Sequence, residues 1–221
     1  MAPVLAVFCD PNGSGKSTLT REIRRRGIDL GTYINPDDIA GTLSGVPDER
    51  TRAAQKIADE ERERCLRERV NFAFESVCSH SSKLEFLERA AAAGYEIHVF
   101  FVTLPAPEMN VERVRLRVLQ GGHDVPTDRI VARWRRTMGL LPAIVARAHR
   151  IMLFDNGSPP DTPMIRLVAW SETDDRGEKV IVRDPDAPAW VAHYLPRSRS
   201  RSERGAEAAP EPSGEPPPID R

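Results

Sequence analysis

Apolar positions in this chain fall into short runs that alternate with segments of helical periodicity. Five of these runs lack the strict alternation of a half-exposed strand, which is typical of strands buried on both faces of a parallel sheet. The runs span residues 4–9, 32–35, 71–75, 96–104 and 150–155. Helical patterns separate the first four runs, at residues 17–26, 47–69 and 82–93. This order predicts an α/β fold with a central, mostly parallel sheet and helices on both faces.

Two later stretches interrupt that alternation. Residues 105–149 contain two helical segments around "GGHDVPTD" with no strand between them, which predicts a helical insertion that forms a lid. Residues 165–171 and 179–182 are joined by the turn-rich segment "ETDDRGE". They predict an antiparallel hairpin at the C-terminal edge of the sheet, with Trp170 and Trp190 packed on its apolar side.

The composition changes after Leu195, where the chain becomes rich in Pro, Ser, Arg and Glu and has almost no apolar residues. Such a segment cannot bury enough apolar surface to fold. We therefore expect one folded domain over residues 1–195 and a disordered tail over residues 196–221. An arginine-serine arm that binds RNA is the alternative for the tail, but the basic stretch is short and acidic residues follow it at once.

Charge and composition narrow the class of protein. The 221 residues carry a formal net charge of −1 and an isoelectric point near 6.5, which argues against a general binder of nucleic acid or of acidic membranes. Neither a leader pattern nor an apolar run long enough for a membrane span is found, so we expect a cytoplasmic protein. Cys9, Cys65 and Cys78 show no metal-ligand spacing and are interpreted as reduced thiols.

The segment "DPNGSGKST" follows the first predicted strand and opens the first predicted helix. It fits the phosphate-loop pattern G-x-x-x-x-G-K-[ST] except at its first position. In that pattern the loop N–H groups and the helix N-terminus bind phosphate oxygens, while Lys16 reaches the β- and γ-phosphates and Ser17 holds Mg²⁺. The segment predicts a P-loop NTPase fold that uses ATP and Mg²⁺. The expected ATP-binding residues are Asp10, Pro11, Asn12, Gly13, Ser14, Gly15, Lys16, Ser17 and Thr18.

Asp10 occupies the place of the first glycine in that pattern. Aspartate is among the few residues that tolerate left-handed backbone angles, and its carboxylate can accept hydrogen bonds from loop N–H groups. Its negative charge lies close to the expected polyphosphate. We therefore expect a weakened ATP site and not a lost one.

Carboxylates follow the second and third predicted strands, where ligands of doubly wound sheets bind. Asp37 and Asp38 lie in "INPDD", and Glu75 lies in "FAFES". Transfer of a phosphoryl group to a hydroxyl needs a carboxylate that accepts the proton, and we assign this role to Asp37, with Asp38 and Glu75 as substrate-binding residues. The alternatives are that "NPDD" is only a turn with Asp38 as a helix N-cap, and that Glu75 is a solvated loop charge.

The predicted lid is rich in arginine. Arg113 and Arg117 lie four residues apart on its first helix, and three more arginines share a face of its second helix beside an apolar stripe. These residues are Arg129, Arg133 and Arg136, with Ile130, Trp134 and Met138 as the stripe. Guanidinium groups on a lid stabilise transferred phosphoryl charge, although a solvated basic face is the alternative. His123 is a hinge residue, a phosphate contact, or neither.

These segments together resemble the zeta-toxin family of P-loop kinases, in particular its short zeta-like members. The resemblance covers Val4 to Gly157 and rests on the order and spacing of "DPNGSGKST", "INPDD", "FAFES", "RVLQGGHDVP", "IVARWRRT" and "LFDNG". It implies a kinase that uses ATP and Mg²⁺ to phosphorylate a sugar hydroxyl of UDP-N-acetylglucosamine. It also implies an antitoxin protein that blocks the nucleotide site.

The resemblance assigns roles by position. Asp37 matches the proton acceptor and Glu75 a substrate-contacting acid. Arg113, Arg117 and Arg133 match the arginine-bearing lid, with Arg117 and Arg133 as catalytic residues and Arg113 as an ATP contact. Asp10 and His123 depart from the family, which carries an arginine where this chain has His123. Two other functions remain open: a kinase for another metabolite or a nucleoside, and a nucleotide-dependent regulatory module with little transfer activity.

Overall fold

The structure of the chain, a computed structural model, describes residues 2–122, 124–157, 165–195 and 197–200. The predictions for His123 and for residues 201–221 lie outside the described residues. The strands are β1 (Val4–Cys9), β2 (Thr32–Ile34), β3 (Phe72–Ser76), β4 (Glu96–Thr103), β5 (Arg150–Asp155), β6 (Arg166–Thr173), β7 (Lys179–Arg183) and β8 (Arg199–Ser200). The helices are α1 (Lys16–Arg25), α2 (Pro36–Thr42), α3 (Pro47–Glu68), α4 (Ser82–Ala92), α5 (Pro107–Leu119), α6 (Thr127–Arg147) and α7 (Ala189–Tyr194).

The short helix α2 was not among the helices predicted from the sequence, where a turn into a helix cap was only the alternative interpretation of "NPDD". Asn35 is the N-cap, since its side chain accepts a hydrogen bond from the Asp37 N–H at 3.0 Å. Pro36 occupies the first turn, where its missing N–H has no cost, and Asp37 and Asp38 place negative charge at the positive end of the helix. Asp38 therefore lies inside the helix, and the alternative interpretation that made it the N-cap is wrong.

The strands form a single eight-stranded sheet in the order β2-β3-β1-β4-β5-β6-β7-β8. The first five strands pair in parallel, whereas β6 runs antiparallel to both β5 and β7. The predicted α/β fold, with a mostly parallel sheet and a C-terminal hairpin, is confirmed. From β1 the chain passes to β2 and β3 on one side of the sheet and then crosses to β4 on the other side of β1. The carboxyl end of β1 is therefore a topological switch point, the place where ligands bind in such sheets.

Two apolar clusters cover the two faces of the sheet. The larger contains Phe72, Phe74 and Met138, and the smaller contains Phe8 and Phe100. Other fully buried members of the larger cluster include Leu5, Ile97, Leu141 and Leu153. The parallel strands are therefore buried on both faces, as their unbroken apolar runs predicted.

The sequence suggested that Trp170 and Trp190 pack on one side of the hairpin, but they lie on opposite faces of the sheet. Trp190 belongs to the larger cluster, and its Nε1 donates to Asp155 Oδ2 at 2.7 Å. Trp170 packs against the smaller cluster on the opposite face of the sheet, beside Leu167. The two differ because Trp190 lies on α7, which packs on the face of the larger cluster, whereas Trp170 lies on β6 with its side chain on the other face.

Two further predictions differ from the structure. Arg199–Ser200 lie in the predicted disordered tail but pair with β7 as β8, so ordered structure extends past Leu195. Cys9 and Cys78, interpreted as reduced thiols, form a disulfide with a Cα–Cα distance of 5.7 Å, whereas Cys65 is free and buried. In the described part of the chain, no helix is long and apolar enough to cross a membrane.

Candidate phosphate and acceptor site

The loop between β1 and α1 has the backbone geometry that its sequence predicted. Gly13 and Gly15 adopt positive φ angles of 83° and 107°, which side chains rarely allow. A Cβ at Gly13 would lie 3.0 Å from the Asn110 carbonyl oxygen, and one at Gly15 would lie 2.4 Å from the Asn156 amide nitrogen. Both glycines are thus required by the conformation and by close packing.

Two asparagines from outside the loop hold it in place. The Asn110 amide on α5 donates to the Asn12 carbonyl at 2.7 Å and to the Ser14 hydroxyl at 2.9 Å. The Asn156 amide, just after β5, donates to the Ser14 carbonyl at 2.8 Å. These roles were not predicted from the sequence, although Asn156 lies in "LFDNG" and Asn110 is the one amide side chain of α5, on its buried side with Val114.

The lid arginines are distributed unequally around the loop. Arg113 donates to the Asn156 carbonyl at 2.6 Å, and Arg133 donates to the Asn12 side-chain oxygen at 3.1 Å. Burial lowers the pKa of both guanidinium groups, and the nearby Arg129 and Arg136 charges lower that of Arg133 further. Arg117 lies on the exposed side of α5. The structure thus brings Arg113 and Arg133 to the loop.

The apolar stripe beside these arginines is buried as predicted. Ile130 and Met138 are fully buried, and Trp134 is partly buried with its Nε1 donating to the Leu104 carbonyl at 3.2 Å. The stripe fixes α6 against the sheet. It therefore sets the side of α6 that turns Arg133 toward the loop.

Lys16 lies in a buried ion cluster. Its Nζ is 2.7 Å from Asp10 Oδ1 and 3.6 Å from Glu75 Oε2, and its backbone N–H donates to Asp10 Oδ2 at 3.3 Å. Burial raises the pKa of Asp10 to about 6, against the lowering effect of Lys16. Asp10 therefore does accept a loop N–H. The expected left-handed backbone is wrong, because Arg69 and Cys78 are the only described non-glycine residues with positive φ.

Glu75 is buried, with 4% of its surface exposed, so it is not a solvated loop charge. Its Oε1 accepts a hydrogen bond from the Thr20 hydroxyl at 2.9 Å and another from the Tyr33 hydroxyl. Burial and the Glu75 carboxylate raise the pKa of Tyr33. Thr20 follows Lys16 by one helical turn, so the two side chains share a face of α1, and the pairing of β3 with β1 brings Glu75 to that face.

A cleft of about 430 Å³ opens beside the loop, between α1 and the β2–α2 connection. It is lined by Ser17, Thr20, Arg21, Arg24, Arg25, Tyr33, Asn35, Asp38 and Glu75. Asp37 lies on the exposed first turn of α2, and its charge contributes to the raised pKa of Lys16. The cleft thus joins the end of the phosphate loop to two of the three carboxylates singled out in the sequence, Asp38 and Glu75, whereas Asp37 does not line it.

One wall of the cleft is basic, a feature that had not been predicted from the sequence. Arg24 lies over the Tyr33 ring, with its guanidinium carbon 5.1 Å from the ring centroid. Arg25 instead pairs with Glu22, at 2.9 and 3.0 Å. Within the described residues, neither Arg21 nor Arg24 forms an ion pair with a carboxylate. Arg21 directly follows Thr20 and Arg24 comes one turn after it on α1, a spacing that was visible in the sequence.

A family model described as Zeta toxin matches residues 1–158. The chain belongs to the zeta toxin family. The match covers the phosphate loop, the carboxylates and the lid, and it ends just after Gly157, where the resemblance in sequence ended. The hairpin and α7 lie beyond it.

Several known proteins are similar to this member of the zeta toxin family. An uncharacterized protein of Haemophilus influenzae is 27% identical over 135 residues, which are 58% of this chain and 89% of the relative. The AvrRxo1-ORF1:-ORF2 structure with ATP has a TM-score of 0.59 at 16% identity and aligns over 76% of this chain. The alignment spans 58% of that longer chain.

A second solved structure comes from the PezAT chromosomal toxin-antitoxin system of Streptococcus pneumoniae. It has a TM-score of 0.50 at 15% identity, over 74% of this chain and 70% of that chain. At these identities the two structures show a shared fold. They agree with the P-loop kinase architecture of the sheet and its flanking helices.

Proposed function

We propose that this zeta toxin family member is an ATP-dependent kinase that transfers the γ-phosphate to a hydroxyl of a UDP-sugar such as UDP-N-acetylglucosamine. Family membership supports ATP as the donor. The observation that carries the acceptor proposal is the cleft beside Ser17, because it combines carboxylates at the loop end with Arg21 and Arg24, which pair with no carboxylate among the described residues. Carboxylates suit a hydroxyl, and arginines suit the diphosphate of a sugar nucleotide.

The donor half of the site would act through groups already in position. The loop N–H groups and the N-terminus of α1 bind the phosphates, and Lys16 moves its charge to the β- and γ-phosphates. Arg133, held at Asn12, lies on the lid side of the loop and would stabilise charge on the transferred group. Arg113 would support the ATP side of the loop through Asn156.

The acceptor half would act through the α2 carboxylates. Asp37 accepts the proton of the attacking hydroxyl, because its charge faces Lys16 and its carboxylate lies on an exposed helical turn. Asp38 and Glu75, which line the cleft, would orient the sugar. Glu75 can also act through Tyr33, whose hydroxyl it holds at the cleft wall.

Mg²⁺ fits the donor side of this site. Ser17 is exposed on the first turn of α1 and lines the cleft, so its hydroxyl is available to a cation. Mg²⁺ in kinases is commonly held by few protein groups together with substrate phosphates. When bound there, the ion would neutralise charge on the β- and γ-phosphates.

The direct test is a screen of sugar nucleotides with the purified chain, ATP and Mg²⁺. We expect a mass increase of one phosphate on UDP-N-acetylglucosamine and none on N-acetylglucosamine, which lacks the diphosphate. Phosphorylation of a nucleoside or another metabolite alone would favour the kinase for a different acceptor. No ATP binding at all would overturn the proposal.

A regulatory module with little transfer activity is the second candidate, because Lys16 is already neutralised by Asp10 and Glu75. It predicts nucleotide binding without product from any acceptor. An antitoxin partner that blocks the nucleotide site is proposed from the family. Co-expression with the protein encoded by an adjacent short reading frame would test it, and a complex that no longer binds ATP is the expected result.

A further inference from the structure

Asp10 occupies a position where the phosphate-loop pattern has no side chain at all. Asp10 is 2% exposed. Both oxygens of its carboxylate accept hydrogen bonds from Lys16, one from the ammonium group and one from the backbone N–H. The backbone N–H of Asp10 is tied to the Ser76 carbonyl at 3.2 Å, which fixes the residue to the end of β3. The main chain of Asp10 is therefore fixed at the loop entrance, and its buried carboxylate is held against Lys16.

ATP binding changes the charge balance around this carboxylate. Lys16 is needed by the β- and γ-phosphates, so its ammonium group must leave Asp10 or be shared with the phosphates. Asp10 then keeps a buried negative charge next to Glu75, with polyphosphate oxygens arriving at the same loop. A buried carboxylate that loses its counter-ion and gains negative neighbours is strongly favoured in its protonated form.

Before nucleotide binds, the groups around Asp10 act on its pKa in opposite directions, because burial and Glu75 raise it while Lys16 lowers it. Lys16 on α1 is the counter-ion, Glu75 on β3 adds negative charge, and Asp37 on α2 acts on Lys16 from the cleft side. The lid arginine nearest the loop, Arg133, contacts Asn12 instead of Asp10. No other described cation is paired with the Asp10 carboxylate.

We infer, on the basis of the ATP site proposed above, that Asp10 takes up one proton from solvent when nucleotide binds. The carboxylate becomes a neutral carboxylic acid, and the ammonium group of Lys16 is transferred whole from Asp10 to the phosphate oxygens. Asp10 thus makes nucleotide binding depend on proton concentration. The burial that raises the pKa of Asp10 to about 6 before nucleotide arrives agrees with this direction.

The sign of the effect follows from linkage. The pKa of Asp10 is higher with nucleotide bound than without it, so the bound state holds more protons between those two values. Nucleotide affinity therefore rises as the pH falls toward about 6, the value before binding, and levels off below it. For one proton, the change is up to about tenfold in Kd per pH unit.

The experiment is calorimetry of a non-hydrolysable ATP analogue with Mg²⁺ at pH 7.0–7.5, in buffers of different ionisation enthalpy, which gives the number of protons taken up. We expect the wild type to take up about 0.5–1 proton more than Asp10→Asn. The analogue's own change in protonation is common to both titrations and cancels in this difference. Glu22→Gln, an exposed carboxylate on α1 outside the cleft lining, is the matched control and should behave as the wild type.

Each remaining result decides between this inference and its rivals. Uptake that disappears in Glu75→Gln but persists in Asp10→Asn would assign the proton to Glu75 and overturn the inference. Equal uptake in wild type and Asp10→Asn would do the same. Should Asp10→Asn fail to fold, Asp10→Gly restores the residue of the loop pattern and serves instead. Nucleotide binding to the wild type without proton uptake would overturn the inference and leave the proposed ATP site intact. No nucleotide binding at all would reject the proposed function itself.

Discussion

The phosphate loop and the acceptor cleft share Ser17, yet they are built in different ways. The loop is held by amide contacts from Asn110 and Asn156, and its one ammonium group is fully engaged. The cleft presents Arg21 and Arg24 without carboxylate partners in the described part of the chain. The polar groups that hold the loop have their partners before a ligand binds, whereas the cleft presents positive charges that a ligand can pair with.

This difference separates affinity from selectivity. Preformed hydrogen bonds lower the ordering cost of binding a nucleotide, which every kinase of this fold must bind. Unpaired charges in a cleft favour ligands that carry the matching charge and penalise those that do not. Substitutions in the two regions should therefore have different effects on donor and acceptor.

The largest expected effect comes from Asp37, the proposed proton acceptor. Asp37→Asn keeps the shape of the side chain and removes its charge, so transfer should fall by roughly 10²–10⁴-fold, the range of a lost general base. ATP binding should stay intact, since the loop contacts are untouched. Transfer to UDP-N-acetylglucosamine and ATP binding are measured separately. Transfer at the wild-type rate would make Asp37 a turn residue and move the role to Asp38.

Lys16→Ala should break the donor side. It removes the cation that reaches the β- and γ-phosphates, so ATP affinity should fall by at least about an order of magnitude in calorimetry. Thermal unfolding is followed in parallel, because the variant leaves Asp10 and Glu75 buried without a counter-ion. Lys83→Ala, on α4, is the control of equal charge. Unchanged ATP affinity would place the nucleotide elsewhere.

Arg24→Gln should weaken the acceptor side alone. Loss of one charged contact to a diphosphate predicts a rise of about tenfold in KM for UDP-N-acetylglucosamine, with ATP affinity unchanged. Arg26→Gln removes the same charge from the adjoining C-cap position, where Arg26 pairs with Glu22 and does not line the cleft. Equal effects of the two variants would mean that only the net charge of α1 matters.

The smallest effect concerns Asp10. Asp10→Gly removes negative charge beside the polyphosphate, so ATP should bind as well as, or a few-fold tighter than, in the wild type near neutral pH. The folded-state pKa of about 6 lies above the ordinary value of 3.8. The free energy of unfolding of the wild type should therefore decline relative to the variant as the pH rises from 3.8 to about 6. Urea unfolding across that range measures the difference, and parallel curves would contradict it.

Much of the fold was predictable because its strands are apolar on both sides and its helices end at glycines such as Gly27 and Gly94. The loop was predictable because GSGKS needs only local backbone geometry. The supports of the loop were not, since Asn110 and Asn156 lie 98 and 142 residues from the groups they contact. Contacts of such separation depend on strand order, which no local pattern encodes.

The ion cluster was only half predictable. Asp10 and Lys16 belong to one loop, so their contact follows from the motif, but Glu75 joins them only because β3 lies beside β1. The basic wall of the cleft was overlooked for a different reason. The arginines of α1 look like an ordinary solvated face until β2 and α2 close the other side of the cleft.

The disulfide between Cys9 and Cys78 has a consequence for the unfolded chain. The two residues are 69 positions apart, so the bond closes a long loop that begins at the end of β1 and ends just after β3. In the chain-entropy description, closing a loop of this length lowers the conformational entropy of the unfolded ensemble, which raises its free energy by about 4 kcal/mol. The oxidised chain should therefore unfold at a higher temperature than the reduced one, and the covalent loop encloses all three residues of the ion cluster, Asp10, Lys16 and Glu75.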